Sequence, residues 1–186
     1  MEGGRRAMLK ITIPNIEQYD EVRNEFISTK EQVLQLEHSL VSLSKWESKW
    51  CKPFLSKEEK TFEESVDYIR CMTITQNVDN NTYLAINNNH IREVTKYIEA
   101  PMTATVFSKD KKPPNREVIT AEIIYYWMVT LNIPFECQKW HLNRLLTLIN
   151  VCNLKNNPPK KMSRKELMNR NAALNAARRQ SLNTRG

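Results

Sequence analysis

Glycine is almost missing from this chain: of 186 residues only Gly3, Gly4 and Gly186 are glycine, so the whole interior lacks it. Walker loops, dinucleotide-binding fingerprints and nucleophile elbows all need backbone positions that glycine alone readily supplies, so none of these can be built here. Several large enzyme classes are thereby excluded, and a non-catalytic protein is expected. The helices must also close without glycine, and Asn81, Asn87, Asn89, Asn132, Pro53, Pro101 and Pro134 occupy places suited to stop signals. Long apolar runs are missing too. The longest, Ile123 to Val129, is far short of the ~20 residues a bilayer span requires. Met1 to Lys10 lacks the apolar centre of a signal peptide, which predicts a protein that stays in the cytoplasm. Cysteine is sparse and irregularly placed, at Cys51, Cys71, Cys137 and Cys152, which fits free thiols in a reducing compartment better than a disulfide framework.

What the chain does have is positive charge, in one place. Its net charge is +7, yet residues 155–186 hold nine Lys or Arg and one Glu, a local balance of +8, which leaves residues 1–154 at −1. The basicity therefore belongs to a tail, and the body is neutral. Residues 1–7 carry no pattern, 8–154 read as one mostly helical domain, and 155–186 read as a basic linker and tail helix.

Along the body, Leu9, Ile11 and Ile13 alternate with polar residues before Pro14 and predict a short strand, with Gln32 to Glu37 as its partner. Ile16 to Ile27 reads as a turn-rich connection or a weak helix. Leu40, Leu43, Trp46 and Trp50 then fall at helical spacing ahead of Pro53. Ser56 with Glu59 has the form of a capping box, opening a helix with Phe62, Val66 and Ile69 on its inner face. After an Asn-rich stretch around Tyr83, Leu84 and Ile86, the positions Ile91, Val94 and Ile98 predict a short helix stopped by Pro101. Lys109 to Pro114 reads as an exposed loop. Thr120 to Leu131 is apolar nearly all round and predicts a central buried helix. Gln138 to Asn153 is its expected antiparallel partner, with Leu142, Leu145, Leu146, Ile149 and Cys152 inward. The fold class is thus mainly α: a compact helical domain with a short N-terminal β-hairpin and a C-terminal basic helical tail.

Residues able to carry chemistry are few. Cys137 and His141 stand four apart and could share a metal, but a structural zinc site needs four ligands and Cys152 lies too far along a continuous helix. Buried free cysteine is the plainer reading, and no metal or cofactor is expected. His38 reads as a satisfied histidine at a strand-to-helix junction. Adjacent carboxylates, Glu58 with Glu59 and Glu63 with Glu64, diverge around a helix and read as a solvated face. Trp46 and Trp50 beside Lys45, Lys49 and Lys52 could stack on nucleic-acid bases, but their spacing with Leu43 favours a core face.

Several stretches together cover most of residues 32–180 and resemble proteins of tailed-phage structural gene clusters. They include the run from Leu34 to Trp50 with Lys52-Pro53-Phe54-Leu55, Asp67 to Thr73, Ala100 to Thr105, and Tyr126 to Val129 followed by Ile133 to Cys137. Trp140 to Leu146 and Asn171 to Arg179 complete the set. The family they resemble is that of bacteriophage tail assembly chaperones. The resemblance implies transient binding of the tape-measure protein, and possibly the tail tube protein, in the host cytoplasm, without catalysis. It transfers no binding residues.

The residues themselves nominate the tail as the partner-binding element. Ser163 and Glu166 repeat the capping-box form, and residues 163–180 predict a helix. Leu167, Leu174 and Ala177 are expected to face a partner, with Arg170, Arg178 and Arg179 solvated or paired with its carboxylates. A helix of this length is marginal alone in water. Two alternatives stand beside the chaperone: a virion structural or tail-completion protein, and a nucleic-acid-binding protein acting through the basic tail.

Overall fold

Residues 8–20, 24–107, 118–156 and 164–182 are described by a computed structural model of the chain. The N-terminal alternation forms a strand as expected. β1 (Leu9–Ile13) pairs antiparallel with β4 (Gln32–Leu36), from Leu9 opposite Leu36 to Ile13 opposite Gln32. Ile11, Ile13, Leu34 and Leu36 point into the core. The outer edge of β4 is covered by the chain after the second helix, through Glu37 N to Met72 O and Ile74 N to Gln35 O, both 2.9 Å.

The connection between these strands is neither a loose turn nor a helix. β2 (Ile16–Asp20) and β3 (Glu25–Thr29) form a second antiparallel pair, from Ile16 opposite Thr29 to Asp20 opposite Glu25. Paired residue numbers add to the same total in both pairs, so one register runs through the whole ribbon, interrupted at Pro14–Asn15 and Lys30–Glu31. Proline cannot donate to a ladder, which explains the break. The outer strands lack apolar alternation because most of their described side chains face water, leaving only cross-strand contacts as signal. Tyr19 and Phe26 supply one, with ring centroids 4.9 Å apart.

α1 (Leu40–Trp50) is the hub of the body, packing against α2 (Phe62–Met72) and α4 (Ala121–Thr130). Ser39 and Ser42 close a reciprocal cap at its start, and Cys51 in the left-handed region (φ 51°) closes its end. The second capping box is not at Ser56. Thr61 caps α2, accepting from Glu64 N while Glu64 accepts from Thr61 N, so the helix starts later than expected. Its inner face also differs: Tyr68, Ile69 and Met72 are buried, whereas Phe62 is exposed and Val66 only half-buried. The rotation follows from α1 and the residues just after it, which draw Glu64 and Asp67 inward through Lys52, Lys49 and Trp50.

A 3-10 helix, Asn80–Ala85, precedes α3 (Asn88–Glu99), and Asn87 caps the start of α3 instead of stopping an earlier segment. Asn81 and Asn89 lie within these helices, while Asn132 does adopt the left-handed conformation that ends α4. α4 is not buried all round. Ala121, Ile124 and Met128 face inward, but Tyr126 and Val129 are 65% and 60% exposed, because α1 is its main helical neighbour. The expected long hairpin between α4 and the next helix is therefore replaced by packing on α1. A 3-10 helix at Phe135–Lys139 takes up the first residues of the expected partner, and α5 runs from Leu142 to Asn156. Leu142, Leu145 and Ile149 are its buried residues, with Leu146 and Cys152 half-buried.

The chain divides into two units, Met1–Cys152 and Asn153–Gly186. The second contains α6 (Arg164–Leu182). The mainly α class with a short antiparallel N-terminal hairpin holds. Residues 1–7, the Lys109–Pro114 segment and Ser163 lie outside the described residues.

Candidate interaction surfaces

Six side chains were nominated by sequence: Leu167, Arg170, Leu174, Ala177, Arg178 and Arg179. All fall within the single helix α6, which extends two residues past the expected end. Arg170, Leu174, Ala177, Arg178 and Arg179 are exposed, as are Met168 and Leu182. The helix is only weakly amphipathic. Arg178 stands four residues after Leu174 and so shares its face, which means any surface covering Leu174 must also receive a guanidinium. A purely apolar groove would leave that charge unpaired at considerable cost.

The body is fastened by polar contacts that sequence did not disclose. Glu47, on α1, is 8% exposed and accepts from Phe54 N at 2.8 Å and from Ala121 N at 2.7 Å. The cap residue of α4, Thr120, makes no side-chain cap bond, so a carboxylate from another helix satisfies its first turn and complements its dipole. Glu64 joins Lys52 at 2.7 Å, which lowers the glutamate pKa and raises that of the lysine. Glu64 is thus buried and paired, contrary to the solvated face expected for it; Glu63 is exposed.

His38 does sit at the strand-to-helix junction, 1% exposed, with Nδ1 hydrogen-bonded to the Tyr68 hydroxyl at 2.6 Å. The unexpected neighbour is His141, whose ring lies 5.1 Å away. His141 accepts from Asn143 N at Nδ1, so its Nε2 carries the hydrogen and donates to the Tyr97 carbonyl at 3.1 Å. Leu142 N donates to His38 O at 2.9 Å, tying the start of α5 to the start of α1. Burial holds the His38 pKa down to about 3, aided by His141, and burial lowers His141 as well. Two neutral imidazoles are therefore structural links here.

Both nitrogens of His141 are thus engaged within the protein, and Cys137 is buried. Among the described residues no three His, Cys, Asp or Glu side chains gather as a metal-ligand set. Trp46 is 1% exposed and donates to Glu64 O, and Trp50 donates to Asp67 Oδ2, so this pair serves the core and its rim instead of a base-stacking surface. No helix among the described residues is long and apolar enough to cross a membrane. No family model, curated protein or solved structure matches the chain.

Proposed function

We propose that this protein is a bacteriophage tail assembly chaperone that holds the tape-measure protein during tail morphogenesis in the host cytoplasm, without catalysis. The observation that supports the reading, beside the sequence resemblance, is α6: a 19-residue helix with exposed Met168, Leu174 and Leu182 interleaved with Arg170, Arg178 and Arg179. Such a surface suits a helical partner that offers both apolar side chains and carboxylates. It engages by mass action and lets go without a nucleotide, in keeping with a body whose sequence lacks the glycines of a Walker loop.

Co-expression with the tape-measure protein of the same gene cluster tests the reading. A soluble complex that is lost on truncation after Asn156 is expected. Equal solubility of the tape-measure protein with and without the chain refutes it. Abundant copies in purified particles, measured by mass spectrometry, would favour the virion structural alternative. The arginines of α6 also support a nucleic-acid reading. That alternative predicts duplex-DNA binding whose logarithmic salt slope is about −0.9 per phosphate contact and which disappears with the same truncation.

A further inference from the structure

The groove between α2 and α3 has walls of Tyr68, Ile69, Ile91, Val94 and Ile98, and it encloses about 210 Å³. Phe54 forms part of its lining, its ring stacked on Tyr68 with centroids 3.8 Å apart. One cation enters this apolar setting. Lys60 is half-buried, with Nζ 4.5 Å from the centre of the Phe54 ring. Glu64 and Glu58 act on it electrostatically, but the Glu64 carboxylate is already committed, with Oε1 accepting from Lys52 and Oε2 from Thr61 N. Glu58 lies in the exposed loop, and Glu99, which also lines the groove, is exposed to water that screens it. Ser65 and Thr95 supply hydroxyls beside the apolar walls.

We propose that this groove is a binding site for a small apolar carboxylate, with the hydrocarbon part against Ile69, Ile91, Val94 and Ile98 and the carboxylate on Lys60. The inference is independent of the chaperone reading. An ammonium over an aromatic ring gains some attraction from the π face, and Glu64 and Glu58 favour its charge from nearby, yet among the described residues no carboxylate forms an ion pair with it, so its donors remain open to an arriving anion. Burial holds the Lys60 pKa below the usual lysine range, and an arriving carboxylate offsets that cost. The volume suits one aryl or branched aliphatic group, because pockets that bind well are mostly apolar with few, placed polar groups. The same chemistry is offered by a free acid and by the C-terminus of a chain ending in Phe or Leu.

Titrating the full chain with 3-phenylpropionate, 3-phenylpropanamide and 3-phenylpropylamine, followed by the methyl resonances of Ile91, Val94 and Ile98, tests the proposal. The acid is expected to bind about tenfold more tightly than the amide, and Lys60→Met to erase that difference while Lys60→Arg keeps it. Should Lys60→Met fail to fold, the acid preference in the native chain and in Lys60→Arg decides the matter. Equal affinity for acid and amide, tighter binding of the amine, or no methyl shifts with any of the three overturns it. A short peptide ending in Phe, compared with its C-terminal amide, then identifies the source. Tighter binding of the free-ended peptide than of phenylpropionate supports the site with a chain terminus as ligand, and the reverse order supports it with a small acid.

Discussion

The body and α6 are both helical, yet they are helical for different reasons. In the body, α1, α2 and α3 each carry a reciprocal side-chain cap, and their buried faces meet in one core with Leu40, Leu43, Trp46, Ile69 and Met72. In α6 every side chain described is exposed, and its apolar residues share faces with arginines. Helical stability in proteins comes mainly from packing an apolar face, so the body is stable on its own terms while α6 depends on what it meets. The contrast separates helices that bury an apolar face in one core from a helix whose described side chains are all exposed.

The most forceful way to break this contrast is to remove the body's least replaceable link. Glu47→Ala leaves the amides of Phe54 and Ala121 without their acceptor, which costs about 3 kcal/mol and lowers the melting temperature by roughly 10 °C. A shift within about 2 °C would mean that α4 is held by packing alone. Glu47→Gln, which keeps one carbonyl acceptor, should fall between the two.

Acid provides a reversible version of the same test. His38 has a folded pKa below its unfolded value, so its contribution is full above about pH 6.5 and is lost as pH falls from there toward about 3. At pH 5 the loss is about 2 kcal/mol, from the ~1.5 pH units below the unfolded value. His141 adds to it in the same direction. Tyr68 from α2 and Tyr97 from α3 hydrogen-bond the pair and carry no charge at these pH values, while Glu37, Lys139 and Arg144 line the pocket beside His141. A melting profile from pH 7 to pH 5 should steepen in the native chain and flatten in His38→Gln. Parallel profiles would show that the imidazoles are not what acid attacks.

Glycine scarcity yields a smaller effect of opposite sign. Cys51 ends α1 at φ 51°, a region that costs a residue with Cβ more than glycine. Cys51→Gly should raise stability by about 0.5 kcal/mol, offset in part by the greater freedom of the unfolded chain. Denaturant midpoints resolve the sign. The smallest effect on the body belongs to α6: Leu167→Asp with Leu174→Asp should leave its melting temperature unchanged to within about 1 °C. A drop of several degrees would erase the division between the units.

How much of this was legible in the sequence depended on how local the cause is. β1, β4, α1 and α3 followed from spacing of two or of three and four, because each presents apolar residues to the core, whereas α6 followed from its cap pattern and its Ala and Leu content. β2 and β3 were missed because register, not apolar alternation, holds them. α2 was started too early since Ser56-x-x-Glu59 and Thr61-x-x-Glu64 satisfy the same pattern, and only the reach of Lys52 to Glu64 distinguishes them. α4 was placed too deep: its composition reports apolar character but not how many helices are available to cover it. The candidate partner residues all fall on one helix, α6, because its helical spacing is continuous from Arg164 to Leu182. Glu47 with Ala121 and His38 with His141 left no trace, since their partners are distant in sequence and nothing at either end announces the other.

Amide hydrogen exchange across residues 164–182, with and without the tape-measure protein, bears most directly on the division of labour. The account predicts fast exchange in the free chain, with protection rising at least about a hundredfold in the complex around Leu167, Leu174 and Arg178, while the amides of α1 stay slow in both states. Unchanged exchange in α6 on adding the tape-measure protein, together with new protection on the body, would contradict it.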